Sequence, residues 1–426
     1  MSSYLQDNLK AAGSAKVICV LKNNAKPTAA KINTLGKRFH FTELHQEAQR
    51  RAKRGPTREA GFTFAQAPES PMHYFPRLGV VYGSVHQTGL KALRADKTIK
   101  SIQSVPPMRS IRPTKVKAVP ALADVSFQLG WGLEKLGIDK LWAQGLTGRG
   151  VLIGHLDTGV NGAHPALEGA IHVFEEFDLL GHPMPGNAKP FDNDGHGTHS
   201  AGVIAGRRAL GRAVGAAPGA LLVSGIVIEG GNVIARVLAG MDWAIENGIK
   251  ILNLSVGLPG FFKDFQPVMQ RLRQLGILVI VAVGNEGPNA SDSPGNYPEA
   301  LSVGSIDQDG SIDANSSSQR FERSDDPLVP DLVAPGVEII SASKDGGFRA
   351  ETGTSAATPH LSGMAALLWE AKPAATAAEV EQAIFASCSL PSGATADRAN
   401  RGLPDGPKAL QFLLKPAGIA APAGAP

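Results

Sequence analysis

The sequence predicts an α/β protein with a parallel sheet and helices on both faces, preceded by a small α+β domain. Apolar runs of strand length alternate with helical segments in the C-terminal two thirds of the chain. This alternation is typical of parallel sheets that are covered by helices. A cluster of prolines and a change in charge separate this part from the first 120 residues. The 426 residues, 43% of them hydrophobic, are enough for two folded domains.

The first 120 residues are predicted to form the small α+β domain and its linker. Their periodicity predicts strands at 15–22, 77–85 and 98–105, and helices within 27–54 and 88–96. Pro106, Pro107, Pro113 and Pro120 then mark the linker.

Residues 121–417 are predicted to form the larger domain. Its strands are expected at 151–156, 221–228, 249–254 and 277–283. Helical segments are expected at 133–144, 199–209, 233–246 and 265–275. The low-complexity tail at 418–426 is predicted to be disordered.

The charge is divided unevenly between the two parts. Residues 1–120 hold 21 Lys and Arg against 6 Asp and Glu, a balance of +15, whereas the remainder holds 21 against 32, a balance of −11. This favours docking of a basic module onto an acidic one; a solvated basic arm without a partner is the alternative. We expect no nucleic-acid partner, because the chain has neither zinc-finger spacing nor a recognisable RNA-binding motif.

Two cysteines are too few for a disulfide-stapled scaffold. No apolar run reaches the roughly 18 residues of a spanning helix, so we expect no membrane partner. The N-terminus lacks the basic and apolar segments of a secretory signal. These features predict a cytoplasmic location, with export by another route left open.

Three segments carry residues suited to nucleophilic catalysis. Asp157 follows a predicted strand in a Leu-Asp-Thr-Gly stretch, His196 lies in Gly-His-Gly-Thr-His, and Ser355 lies in Gly-Thr-Ser-Ala-Ala-Thr-Pro at the start of a helix. A serine nucleophile needs a base to take its proton and a carboxylate to orient that base. The three residues together predict such a relay.

Each residue also has a simpler interpretation. Asp157 alone is typical of a turn, and Ser355 alone is typical of a helix N-cap. His196 and His199 could bind a metal, but no clear third ligand lies near them in the sequence. The glycine-rich segment around His196 could cradle a phosphate, but it lacks a lysine and follows no clear strand.

The three segments resemble the signatures of subtilisin-like serine proteases, in the same order. Further similar segments are Trp131–Val151, Asn253–Gly257, Ala282–Gly287, Val333–Gly336 and 402–410. The resemblance covers about residues 125–415 and implies a subtilisin-like three-layer α/β domain. The related sedolisins share Gly-Thr-Ser but use Glu in place of His, so the segment around His196 argues against them.

The resemblance implies a serine endopeptidase that works through an acyl-enzyme. Ser355 would be the nucleophile, His196 the base and then the acid, and Asp157 the orienting carboxylate. Asn285 would stabilise the oxyanion together with the Ser355 backbone N–H.

The resemblance also implies how a peptide would bind. Two edge segments, 230–232 and 255–257, would clamp it as an added strand. Ile234 and Val237 would line the pocket for the residue four before the cut, and Gly284 with 255–257 would floor an open, apolar pocket for the residue just before it. Glu286 would lie at the rim of this pocket and let it accept Lys or Arg. The alternative for Glu286 is a solvated surface carboxylate. The implied substrate-binding residues are Gly230, Gly231, Asn232, Ile234, Val237, Ser255, Val256, Gly257, Gly284 and Glu286.

No metal or other cofactor is expected. Ala166 stands where secreted relatives carry a calcium-binding Asp, and the loop at 206–212 has three arginines and no carboxylate, whereas calcium needs an acidic, oxygen-rich cage. Asp192 and Asp194 are expected to support the loop before His196.

The N-terminal domain weakly resembles the inhibitory propeptide of this family, most clearly at 79–108. A ferredoxin-like inhibitor would block the cleft of the zymogen until self-cleavage within about 106–128; a permanent accessory domain is the alternative. We expect a monomer that acts on polypeptides. The rival function is a latent or degenerate protease domain that binds peptides without cutting them.

Overall fold

The computed structural model describes residues 3–22, 27–52, 69–105, 108–120, 127–186, 189–228 and 233–415. The predicted disordered tail at 418–426 and the linker prolines Pro106 and Pro107 lie outside these ranges.

A four-stranded antiparallel sheet with helices forms the N-terminal domain. The strands are β1 (Ser14–Leu21), β2 (Met72–Phe75), β3 (Val80–His86) and β4 (Ile99–Ser104), in the spatial order β2-β3-β1-β4. The helices are α1 (Ser3–Ala12), α2 (Ala29–Gly36), α3 (Glu43–Ala52) and α4 (Gln87–Arg94).

Two features of this domain differ from the prediction. The short strand β2 was not predicted, and the helix-prone stretch at 27–54, for which no break was predicted, contains two separate helices. Between α2 and α3 the His40 N–H donates to the Ser84 carbonyl of β3 at 3.0 Å. This tertiary hydrogen bond interrupts a stretch whose local composition favours a helix.

Two short strands lie in the linker, which the prolines alone did not predict. They are β5 (Arg109–Ser110) and β6 (Lys115–Val119). Both pair with strands of the C-terminal domain.

The strands of the C-terminal domain are, in chain order, β7 (Gln128–Leu129), β8 (Leu152–Asp157), β9 (Ile171–Glu176), β10 (Arg212–Ala213), β11 (Leu221–Ile226), β12 (Ile251–Leu254), β13 (Val256–Pro259), β14 (Leu278–Ala282), β15 (Asp292–Ser293), β16 (Leu301–Ile306), β17 (Gln319–Arg320), β18 (Leu328–Val329), β19 (Leu332–Pro335), β20 (Ile339–Ala342) and β21 (Phe348–Thr352). Seven of them form one parallel sheet in the order β19-β16-β14-β12-β8-β11-β9. The predicted parallel sheet is confirmed.

The helices of this domain are α5 (Trp131–Lys135), α6 (Ile138–Trp142), α7 (His196–Ala205), α8 (Val233–Glu246), α9 (Gln266–Gln274), α10 (Thr354–Ala371), α11 (Ala377–Ser387), α12 (Ala396–Ala399) and α13 (Gly406–Leu414). The helix predicted at 133–144 is broken into α5 and α6. Gly137, between them, has φ +66°, a left-handed conformation that favours glycine and ends a helix.

The sheet lies between two layers of helices, and an apolar core separates it from each. The domain therefore has three layers. Ile153 and Ile251 point to one core, which they share with α7 and α10. Leu156 and Leu252 point to the other, which they share with α8 and α9. Side chains that alternate between buried faces explain why these strands read as continuous apolar runs.

The N-terminal sheet also has two covered faces. Val17 and Cys19 of β1 pack under the helices of their own domain. Ile18 and Val20 share a core with Ile234 of α8. The N-terminal domain therefore packs against the layer that α8 forms. In the described ranges no helix is both long and apolar enough to cross a bilayer.

Candidate active site

The three segments singled out in the sequence meet at the carboxyl edge of the parallel sheet. Asp157 is the last residue of β8, His196 the first residue of α7, and Ser355 lies in the first turn of α10. Ligands bind at this edge in open α/β sheets. The end of a buried strand and the starts of two helices meet at this edge, which brings Asp157, His196 and Ser355 to the same place.

Asp157 and His196 are in direct contact. His196 Nδ1 lies 2.7 Å from Asp157 Oδ1, and the two residues are 1% and 0% exposed. Asp157 Oδ1 also accepts the Thr158 N–H at 2.7 Å. The carboxylate is thus placed to hold the imidazole in one orientation, with Nε2 left for other partners.

The contact determines the charge of both groups. Burial raises the pKa of Asp157, but the charge of His196 and the hydrogen bond to it outweigh burial and bring this pKa to about 2. Burial lowers the pKa of His196, but the charge of Asp157 and the hydrogen bond outweigh it and raise this pKa to about 9.

Ser355 lies at the same edge but is not hydrogen-bonded to His196. Its Oγ is buried and has no hydrogen-bond partner among the described residues. Its position at the N-terminus of α10 lets the helix dipole and free backbone N–H groups stabilise negative charge near it.

Asn285 is held beside the start of α10 with its amide N–H exposed to the cleft. Its Oδ1 accepts the Thr354 N–H at 2.9 Å and the Thr354 hydroxyl at 3.0 Å. Its Nδ2 donates to the Arg112 carbonyl at 2.8 Å. Because Oδ1 is fixed by two donors, Nδ2 is aimed at a carbonyl oxygen of the chain that lies in the cleft.

Asp192 supports the loop before His196, as predicted. Its Oδ1 accepts from the Thr158 hydroxyl at 2.9 Å and the Gly195 N–H at 2.8 Å. Its Oδ2 accepts from the Thr198 N–H at 2.7 Å and the Thr198 hydroxyl at 2.6 Å. Asp194, in contrast, forms an ion pair with Arg112 of the linker.

A second histidine lies behind Asp157 and was not predicted to take part. His155 Nε2 lies 2.8 Å from Ser200 Oγ, and Nδ1 lies 2.9 Å from Ser224 Oγ. The Ser200 hydroxyl in turn donates to Asp157 Oδ2 at 3.3 Å. His155 lies inside the sheet, in the middle of β8, so this group supports the Asp157 carboxylate from below. The pairing of β8 with β11 and the packing of α7 against β8 bring these residues together.

His199, the other member of the possible metal pair, has different partners. Its Nε2 lies 2.7 Å from the Ile339 carbonyl oxygen, and its Nδ1 lies 3.5 Å from Glu351. It therefore links α7 to β20 and β21.

The linker runs through the cleft on both sides of these residues. On one side β5 pairs antiparallel with β13, with Ser110 opposite Val256 and Arg109 opposite Gly257. The Ile111 N–H donates to the Ser255 carbonyl at 2.8 Å. All three residues of the predicted clamp at 255–257 therefore contact the linker.

On the other side β6 pairs antiparallel with β21, from Lys115 opposite Thr352 to Val119 opposite Phe348. The Thr114 N–H donates to the Thr352 carbonyl at 2.7 Å. The linker thus lies across the cleft as an added strand on each side of Asn285, which is how proteins bind extended peptides.

The remaining predicted substrate-binding residues fall into three groups. Ile234 and Val237 are buried in the same core as Met108 of the linker. Glu286 lies beside Gly284 and forms an ion pair with Arg109 at 2.6 Å. Gly230, Gly231 and Asn232 lie outside the described residues.

The residues at the family's calcium site do not fit calcium. The Ala166 carbonyl accepts the Arg207 N–H at 2.7 Å, and the Gly169 carbonyl accepts from the Arg207 guanidinium at 2.8 Å. A cation here would face an arginine instead of carboxylates, the reverse of what calcium requires.

The fold and the site together define a hydrolase class, the serine peptidases with a parallel α/β sheet. A profile of the subtilase family matches residues 148–406. The chain is 31% identical to M-protease of Shouchella clausii over 304 residues, which are 71% of this chain and 72% of M-protease. It is 34% identical to subtilisin E of Bacillus subtilis over 59% of this chain and 63% of that protein. It is 29% identical to a thermostable alkaline protease of Halalkalibacterium halodurans over 74% of this chain and 78% of that protein.

The chain therefore belongs to the subtilase family and is a subtilisin-like serine endopeptidase. The predicted three-layer fold and enzyme class are confirmed. The matched region spans less than two thirds of subtilisin E and more than two thirds of the other two relatives.

Proposed function

We propose that Ser355, His196 and Asp157 form the catalytic triad of this endopeptidase. The observation that carries the proposal is the 2.7 Å contact of His196 with Asp157, at the edge where α10 presents Ser355. His196 Nε2 takes the hydroxyl proton as Ser355 Oγ bonds to the carbonyl carbon of a peptide. The carbonyl electron pair moves onto its oxygen.

The oxyanion would be stabilised by Asn285 Nδ2 and the Ser355 backbone N–H. The Asn285 amide already donates to a carbonyl oxygen of an extended chain, which supports this role. Collapse of the intermediate breaks the C–N bond, and His196 gives its proton to the leaving nitrogen. Water then hydrolyses the Ser355 ester by the same proton transfers in reverse.

We further propose that the N-terminal domain inhibits the enzyme until the linker is cut. Three arginines support this, because each contacts carboxylates of the C-terminal domain: Arg77 with Asp242 and Glu246, Arg109 with Glu286 and Asp292, and Arg112 with Asp194. These pairs match the opposite charges of the two parts of the sequence. A peptide substrate would have to displace β5 and β6 from the cleft.

We also propose that the enzyme is a cytoplasmic monomer that needs no metal, as the sequence predicts. The Arg207 contacts at the calcium-site position support the last of these points.

Intact mass spectrometry with a fluorophosphonate probe tests both main proposals. We expect one adduct, which Ser355→Ala abolishes, since the probe bonds only to an activated serine. The control Ser311→Ala retains the adduct, because Ser311 is an exposed serine outside the three segments of the site. Retention of the adduct in Ser355→Ala would contradict the triad.

The mass of the labelled chain tests inhibition. A removable propeptide predicts a labelled species roughly 11–13 kDa lighter than the full chain, the size expected of a domain of about 106–120 residues. Rapid labelling of the full-length chain would contradict inhibition. An unlabelled chain that binds an extended peptide would support the rival function, a peptide-binding module.

A further inference from the structure

A buried carboxylate lies in the wall of the pocket that the linker enters. Asp292 is 1% exposed, and neither of its carboxylate oxygens has a hydrogen-bond donor among the described residues. Arg109 forms a long ion pair with it, with Nη2 3.9 Å from Oδ2. A buried carboxylate that has no hydrogen bond is costly and rare in folded proteins.

Two glycines place this carboxylate at the floor of the pocket. A Cβ built on Gly257 would lie 2.5 Å from Asp292 Oδ2 and 2.9 Å from Ile111 Cδ1 of the linker. A Cβ built on Gly284 would lie 3.4 Å from Asp292 Cγ. The missing side chains of Gly257 and Gly284 leave the space through which Asp292 faces the tip of Ile111.

The pairing of strands explains why Asp292 lies there. β15 pairs antiparallel with β13, with Asp292 opposite Pro259 and Ser293 opposite Leu258. The Asp292 N–H donates to the Val283 carbonyl at 2.9 Å. The backbone is therefore tied to both walls of the pocket, and the carboxylate is fixed between them.

The surroundings favour a cation in this space. Burial, followed by the charge of Glu286, raises the pKa of Asp292 to about 7, and Arg109 opposes this. Arg109 itself is 54% exposed and makes its shorter contact with Glu286 at the rim.

The isoleucine side chain at position 111 is apolar and too short to offer the Asp292 carboxylate a hydrogen-bond donor. Lys and Arg extend several bonds further and end in donors that a carboxylate can accept.

We propose that Asp292 makes this enzyme prefer Lys or Arg in the residue just before the cut. The inference rests on the proposed function, because it assigns the pocket between Gly257 and Gly284 to that residue. It also changes the sequence-based expectation of an apolar pocket with Glu286 alone at its rim. Asp292 forms the charged floor, and Glu286 remains a partly exposed rim group.

The test measures kcat/KM for peptides that differ only in the residue before the cut: Arg, Lys, Leu, Met or Phe. Active enzyme is first counted with the fluorophosphonate probe, which does not use this pocket. Wild-type enzyme is expected to favour Arg and Lys over Leu. Asp292→Asn is expected to lower kcat/KM for Arg and Lys by about ten- to a hundredfold, the usual value of a hydrogen-bonded charge, and to leave Leu and Met unchanged or faster.

Glu286→Gln is the matched control, since it removes the rim carboxylate and keeps Asp292. It is expected to change the preference less than Asp292→Asn. A wild-type enzyme that takes the probe but favours Leu over Arg would overturn the inference without any variant. A chain that has lost its N-terminal domain and still does not take the probe would instead overturn the proposed function, so the two failures are distinguishable.

Discussion

At the scale of single residues, Asp157 and His196 depend on each other for their charge. Burial alone disfavours the charged form of each, yet their contact restores an ionised carboxylate and raises the pKa of the imidazole to about 9. Glu351 adds to this rise, and Arg112 of the linker opposes it. If His196 is the base that we propose, it must be neutral to accept a proton, so we expect activity to increase into the alkaline range.

Asp157→Asn tests this dependence. In the wild-type enzyme kcat/KM should rise with pH up to about 9 as His196 loses its proton. The variant lacks the raising charge, so its profile should move to lower pH, and its maximum should fall by about 10⁴, the loss known for the equivalent change in another serine protease.

The control for this prediction is Asp309→Asn, which changes an exposed carboxylate far from the site in sequence. It should keep both the wild-type profile and its height. An unshifted profile in Asp157→Asn would show that the carboxylate does not set the pKa of His196.

At the scale of elements, the linker lies in the cleft as a peptide does, yet Asn285 contacts a carbonyl one residue beyond the pocket. Ile111 enters the pocket beside Gly257, whereas Asn285 donates to the Arg112 oxygen. The carbonyl of the residue in the pocket is therefore not the one at Asn285. Pro113 follows with a fixed φ, which restricts a shift of the chain that would bring the Ile111 carbonyl to Asn285. This proline is therefore suited to slow self-cleavage.

Pro113→Ala should accelerate self-cleavage by severalfold at least, because alanine lets the chain shift where the fixed φ of proline restrains it. The rate is followed by intact mass on freshly purified chains. Pro120→Ala, just beyond the end of β6, is the control and should cleave at the wild-type rate. Equal rates in Pro113→Ala and wild type would mean that Pro113 does not limit processing.

At the scale of the whole molecule, the two domains are joined by one shared core and a set of ion pairs. Asp242 of α8 is central, because its Oδ1 accepts the Arg77 and Leu78 N–H groups at 2.7 and 2.9 Å. Glu246, one turn later, only pairs with the Arg77 side chain and is 55% exposed. Buried bonds to a charged group contribute more than exposed ion pairs.

Asp242→Ala in a Ser355→Ala background should loosen the N-terminal domain. Hydrogen exchange of the linker amides at 108–119 should accelerate by about tenfold, which corresponds to the loss of hydrogen bonds to a buried charge. Glu246→Ala is the matched control and should have a much smaller effect. Equal effects would mean that the exposed pairs hold the domains together.

The sequence predicted much of this molecule because strong local patterns coincide with its central parts. The buried strands β8, β11, β12 and β14 are continuous apolar runs, and Asp157, His196 and Ser355 lie at their ends or at helix starts. The residues that were missed depend on tertiary pairing. Asp292 reaches its pocket only because β15 pairs with β13, and the linker strands exist only because β13 and β21 offer them partners.

The strand β21 leads to a further consequence. Its edge is covered by the five residues of β6, whose backbone groups supply its outer ladder. Release of β6 from β21 bares that edge, and a bare strand edge is a template for another chain. An enzyme that has released β6 should therefore tend to self-associate at high concentration. A bound peptide that covers the edge should reduce this self-association.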